Sequence, residues 1–85
     1  MRFTVLWREE VQDDLAQLWL DASNRQRLTV AADSIDAELM HDAHLKGLDI
    51  GEDRRVLRCP PLVAHFRIDV DDRKVLVEAI DLEAD

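Results

Sequence analysis

The sequence predicts a small two-layer α+β domain, in which a hairpin of two helices packs on one face of a mostly antiparallel sheet. Two observations predict this fold class. The last third of the chain reads as three strands, separated by Pro60-Pro61 and Asp71-Asp72, which are residue pairs typical of turns. The first half carries apolar residues at helical spacing. The predicted order is therefore β-α-α-β-β-β, in a single domain that covers residues 1–85.

The first half is predicted to contain one short strand and two helices. Aromatic and β-branched residues indicate the strand at residues 3–7, where it can add at an edge of the sheet. A helix follows, because apolar residues then recur three or four positions apart. They are Val11, Leu15, Leu18, Trp19 and Ala22. Ser23 is expected to cap the second helix, with Gln26 three residues later. Residues 42–53, which hold both glycines, are expected to form a loop.

The strand that begins at Leu62 defines the two faces of the sheet. Its apolar residues fall at every second position, which is typical of a half-buried strand. One face then carries Leu62, Ala64, Phe66, Ile68 and Val70, and the other carries Val63, His65, Arg67 and Asp69. The core is expected to contain Trp19, Leu15, Ile35, Phe66 and Ile68. The opposite face of the sheet is left open, and function is expected there.

Composition excludes several classes of protein. The chain of 85 residues is 47% apolar and has a net charge of -8, which argues against a protein that coats nucleic acid. A single cysteine, Cys59, excludes an internal disulfide and fits a reducing compartment. No apolar run approaches the roughly 20 residues that a membrane span needs. We therefore expect a cytoplasmic protein with no membrane partner.

Four basic residues are the candidates for a functional site. If Leu57 and Cys59 face the helices, Arg54 and Arg58 share the open face with His65 and Arg67. Guanidinium groups can hold a phosphodiester, and a histidine can move a proton near neutral pH, so these four are the candidate catalytic residues. Arg54, Arg58 and Arg67 are also the candidate partner-binding residues, because they can pair with the carboxylates of a partner. The alternative is that these arginines only keep the sheet soluble. Arg8 and Arg25 are expected on the helical side.

One cluster could in principle bind a metal ion. It consists of Glu38, His41, Asp42 and His44. A single Glu-x-x-His copy lacks the second half that a carboxylate-bridged site requires, and histidines at a helix end are favoured by the helix dipole. We expect no metal and no cofactor.

The pattern along the chain resembles the RelE/ParE superfamily of toxins from bacterial type II toxin-antitoxin pairs. The resemblance rests on the opening FTVLWREEVQDDLAQLWLDASNRQRLTVAADSIDAEL, the RRVL strand, the PPLVAHFRI strand and the DDRKVLVEAIDL strand. It covers nearly the whole chain and implies a helical hairpin on a twisted sheet. It also implies a cognate antitoxin as partner and, as a target, the ribosome with its mRNA for the RelE branch or gyrase for the ParE branch.

Within this resemblance, Arg54 or Arg55 and Arg58 match the basic residues of the family. Three departures argue against RNA cleavage: Val63 stands where many RNA-cleaving members have an arginine, tyrosine is absent, and the tail of residues 81–85 is acidic. An acidic tail repels phosphate. Two functions follow. The first is a toxin, in which any mRNA endoribonuclease activity of the RelE type is weak or lost. The alternative is a non-catalytic interaction module, including gyrase-type inhibition, that captures a partner through the open face and an edge strand.

Overall fold

The computed structural model describes residues 1–83, which form two helices and five strands. The strands are β1 (Thr4–Trp7), β2 (Leu48–Gly51), β3 (Arg54–Cys59), β4 (Leu62–Asp69) and β5 (Lys74–Leu82). The helices are α1 (Glu9–Asp21) and α2 (Arg25–Met40), and a single 3-10 turn covers Ala43–Leu45. The described residues contain no helix that is long and apolar enough to cross a membrane.

The five strands form one sheet in the order β1-β5-β4-β3-β2. β1 lies at an edge and runs parallel to β5, whereas the other neighbours are antiparallel. The predicted fold class and the edge position of the first strand are therefore confirmed. The helices cover one face of this sheet and leave the other open.

The prediction of a loop at residues 42–53 was wrong, because this segment contains β2. This strand has only four residues and all of them are exposed, so it is too short to show a clear period and burial does not distinguish its two faces. Its approach to β3 depends on Gly47, which has a φ of 67°. A Cβ atom at that position would lie 2.1 Å from the carbonyl oxygen of Val56, which no side chain allows.

The cap of α2 was also assigned one residue too early. The side chain of Asn24, not that of Ser23, accepts a hydrogen bond from the backbone N–H of Arg27 at 3.0 Å. Asparagine is among the preferred residues for this position, because its carbonyl oxygen satisfies an N–H that the first turn leaves free.

The core lies between the helices and the inner face of the sheet. Phe66 is completely buried, which confirms the predicted direction of β4. It packs with side chains from every layer, among them Val11, Leu28, Ile35, Leu39, Leu62, Ala64, Ile68, Val75, Val77 and Ile80. Val70 was placed on this face in error, because β4 ends at Asp69 and Val70 is exposed.

Trp19 was wrongly assigned to the core, and Leu15 is only partly buried. The Trp19 residue is 40% exposed. Its indole N–H donates to Thr29 Oγ1 at 3.2 Å, and the Arg25 guanidinium lies 4.6 Å from the centre of its ring, a cation-π contact. Trp19 and Leu15 both line an apolar groove of about 900 Å³ between β1 and the helical hairpin.

We predict that Phe66→Ala lowers the free energy of unfolding by roughly 3 to 5 kcal/mol, since the loss of a buried aromatic ring leaves a cavity. Urea denaturation measures this change. Val30→Ala is the control, because Val30 is 52% exposed on α2 and its replacement should change stability by less than about 0.5 kcal/mol. Equal effects of the two substitutions would contradict the assignment of the core.

Candidate functional site

The four candidate residues all lie on the open face of the sheet. Arg54 and Arg58 project from β3, and His65 and Arg67 project from β4. Their faces follow from the register, because Leu57 opposes the buried Ala64 on the inner side. The structure thus brings together the residues that the sequence assigned to one surface.

Within this group, Arg54 and Arg67 are directly opposite each other on neighbouring strands. Two like charges in this position repel and destabilise a sheet. A carboxylate compensates for them here. Glu78 Oε1 accepts a hydrogen bond from Arg54 Nε at 2.9 Å and lies 3.8 Å from Arg67 Nε. The pair of arginines therefore depends on a counter-charge from a third strand.

A bulge in β5 places Glu78 on the open face. Phe66 pairs with Val77 and His65 pairs with Ala79, so Glu78 is the extra residue between them. The burial pattern shifts accordingly, since Val75 and Val77 are buried before the bulge and Ile80 after it. Bulges commonly redirect a side chain in this way. The Glu78 side chain remains only 13% exposed, deeper than the arginines around it.

Arg8 completes the group and was assigned wrongly to the helical side. It is the residue before α1, and its backbone N–H donates to the carbonyl oxygen of Val77 at 3.3 Å. From there its Nη2 donates to Glu78 Oε2 at 2.8 Å. We call Glu78, Arg8, Arg54 and Arg67 the Glu78 centre. Strand-to-helix junctions have no periodicity that reveals which face a side chain joins, so the sequence pattern did not place Arg8 here.

The other end of the open face repeats the same pairing of bases with acids. Asp81 Oδ2 lies 3.5 Å from His65 Nε2, and Glu83 pairs with Arg58. β5 and the residue that follows it thus supply a carboxylate for each of the four candidates. The acidic tail was predicted to repel phosphate, and Ala84 and Asp85 of that tail lie outside the described residues.

The charges in the Glu78 centre stabilise one another. Burial alone would raise the pKa of Glu78, but the hydrogen bond from Arg54 and the charges of Arg54, Arg67 and Arg8 outweigh it and lower that pKa. The hydrogen bond to Glu78 likewise raises the pKa of Arg54. Glu78 is therefore a carboxylate at neutral pH.

The two ends of the face differ in what they offer a ligand. The side chain of Arg58 is 71% exposed, and His65 lies on the next strand, so this end presents a cation and an imidazole. The Glu78 centre presents three guanidinium groups whose donors already have a carboxylate. An added phosphate would compete with Glu78 there.

The other sequence candidates are separate from this face. Glu38 pairs with Lys46 at 2.9 Å, Asp42 pairs with the N-terminal amine, and the ring of His44 contacts that of Phe3. Within residues 1–83, no group of three potential metal ligands comes together. Burial, and then the charge of Glu38, raise the pKa of the Cys59 thiol. Cys59 is only partly buried and packs against the core.

Two solved structures share this architecture over nearly their whole length. One is a chain of the toxin-antitoxin complex RelBE2 from Mycobacterium tuberculosis, with a TM-score of 0.80 and 18% identity over 100% of this chain and 95% of that one. The RelE/ParE fold is confirmed. The other is a chain of the chromosomal ParDE toxin-antitoxin system from P. aeruginosa, with a TM-score of 0.70 and 17% identity over 98% of each chain.

Sequence comparison adds no closer relation. No family model matches the chain, and no curated protein matches it. At identities of 17% and 18%, the two structures show that this chain shares their backbone fold. They do not assign site residues to it.

We predict that Glu78→Gln lowers the free energy of unfolding at pH 7 by about 1 kcal/mol. This is less than a buried hydrogen bond to a charged group contributes, because the arginines are partly exposed to solvent. Because the pKa of Glu78 is lowered in the folded protein, its contribution is fully present above the unfolded pKa of about 4.3. It is lost as pH falls through the lower, folded pKa. Urea denaturation from pH 7 to pH 3 measures this difference.

The control for this experiment is Glu38→Gln, the same substitution in a more exposed pair with Lys46. It should change stability less at pH 7 than Glu78→Gln does. A Glu78→Gln protein as stable as the wild type at pH 7, or a deficit that grows with acid, would contradict the role of this carboxylate.

Proposed function

We propose that this chain is the toxin component of a bacterial type II toxin-antitoxin pair and that a cognate antitoxin protein neutralises it. The observation that carries the proposal is the full-length likeness of fold to chains from two toxin-antitoxin complexes. The resemblance in the order and pattern of the sequence elements supports the same conclusion. We further propose that the antitoxin contacts the open face at Arg54, Arg58 and Arg67, where Arg58 is the most exposed of the three.

We propose in addition that cleavage of mRNA by this toxin is weak or lost. Each candidate catalytic residue faces an internal carboxylate: Glu78 for Arg54 and Arg67, Asp81 for His65, and Glu83 for Arg58. A phosphodiester would have to displace these acids or approach them against charge repulsion. The overall charge of -8 further disfavours binding to RNA.

The second candidate function is a non-catalytic interaction module, with gyrase-type inhibition as one form of it. The internal pairing of bases and acids favours this function, because it offsets the charges of the open face, and apolar side chains are accessible there as well. Leu6 on β1 and Leu48 on β2 are exposed there, at opposite edges of the sheet. Such edges are suited to strand addition by a partner segment.

Growth of a bacterial host tests the proposed toxin. We predict that induced expression of the chain arrests growth and that co-expression of the protein encoded by the neighbouring reading frame restores it. Colony counts and the accumulated amount of folded protein are the two measurements. An antitoxin from an unrelated pair is the control and should not restore growth. Unimpaired growth of a host that accumulates folded protein would contradict the proposal.

A cleavage assay in a translating extract separates the two functions. We predict little cleavage of mRNA by the purified protein. If cleavage is observed, His65→Ala should reduce it by about 100-fold, the usual cost of losing a general acid or base, and Arg58→Ala should reduce it as well. Arg25→Ala is the control, because Arg25 stacks on Trp19 in the helical hairpin. Efficient ribosome-dependent cleavage would contradict the weak or lost activity.

A further inference from the structure

The Glu78 centre has the donor arrangement of an anion-binding site. Three guanidinium groups from three parts of the chain converge on Glu78: Arg8 from the junction between β1 and α1, Arg54 from β3 and Arg67 from β4. Planar guanidinium groups are the donors that proteins use for phosphate and carboxylate. The partner that they share is the carboxylate of Glu78, with Arg8 Nη2 at 2.8 Å, Arg54 Nε at 2.9 Å and Arg67 Nε at 3.8 Å. Arg54 Nη1 also donates to Glu52 Oε2 at 3.1 Å.

Burial shows that this carboxylate lies deeper than its donors. The Glu78 side chain is 13% exposed, whereas the side chains of Arg54 and Arg67 are 36% and 48% exposed. Water and ligands therefore reach the guanidinium groups more easily than they reach Glu78. The N–H donors of these arginines already point inward, toward the carboxylate of Glu78. The negative charge of Glu78 would also repel an anionic ligand.

We propose that Glu78 is a built-in anion that closes this three-arginine site to phosphate groups and so determines which ligands the open face accepts. In the wild-type protein, a phosphodiester must compete with a covalently attached carboxylate for the same N–H donors. Removal of the Glu78 charge leaves only the exposed Glu52, which accepts from Arg54 Nη1 at 3.1 Å, to offset the repulsion between the opposed Arg54 and Arg67, and a bound phosphate relieves that repulsion. The same site then binds a nucleic-acid strand.

Binding of a short fluorescent single-stranded RNA, followed by anisotropy at low salt, tests this inference. Glu78→Gln and Glu78→Ala should lower the Kd about tenfold or more, in line with the strength of charge-assisted contacts to phosphate. The slope of log K against log salt should steepen by about 0.7 for each phosphate that is newly contacted. Glu38→Gln is the matched control, because it removes the same charge from the helical layer, and its Kd should change less than about twofold.

The result that overturns the inference is a folded Glu78→Gln protein that binds the RNA no more tightly than the Glu38→Gln control. Circular dichroism and thermal unfolding establish that each variant is folded. Adding Arg67→Gln to Glu78→Gln should reverse most of the gain. Retention of the full gain in that double variant would also overturn the inference, since the effect would then not arise from these arginines.

A measurement on the wild-type protein keeps the inference testable if the variants do not fold. Inorganic phosphate is titrated while the arginine Nε–H signals are observed by nuclear magnetic resonance. The Arg54 signal should remain unshifted at phosphate concentrations that shift the exposed Arg58 signal. A shift of Arg54 at equal or lower phosphate would overturn the inference. The inference extends the proposed function to ligand choice, and its binding readouts do not depend on growth arrest, so the two can fail separately.

Discussion

The open face of this protein depends on one electrostatic constraint, the direct opposition of Arg54 and Arg67 across β3 and β4. Two guanidinium groups in that register repel, and Glu78 compensates for the repulsion from β5. The compensation requires the bulge that turns Glu78 outward between Val77 and Ala79. It also ties the start of α1 to the sheet through Arg8. The charge balance of the open face and the attachment of α1 to the sheet therefore both depend on the Glu78 side chain.

This constraint bears on function because β5, which pairs with the strand that carries Arg67, also supplies carboxylates that neutralise the arginines. β5 contributes Glu78 and Asp81, and Glu83 follows it, so the bases of β3 and β4 face acids along the whole open surface. Each candidate base thus has an internal carboxylate partner, and this pairing supports our proposal of a toxin that acts through protein contacts more readily than through RNA cleavage.

The sequence predicted the features that depend on local periodicity. The alternation in β4 gave the correct face for Phe66 and for His65, and the helical stripes gave the hairpin. It did not predict features that depend on contacts distant in sequence. Trp19 fits an apolar stripe, but its ring lines a groove under Arg25. The link between Arg8 and Glu78 joins residues 70 positions apart and requires a bulge, which is visible in the sequence only as the broken alternation of Val75, Val77 and Ile80.

The direction in which Arg67→Gln changes stability, compared between two backgrounds, is the most direct test of the compensation by Glu78. Arg67→Gln is introduced into the wild type and into Glu78→Gln, and the free energy of unfolding is measured at pH 7 and low ionic strength, where repulsion is least screened. The account predicts that Arg67→Gln destabilises the wild type, because it removes a favourable pair, but stabilises Glu78→Gln, because it relieves the repulsion from Arg54. A change of the same sign and size in both backgrounds would contradict it.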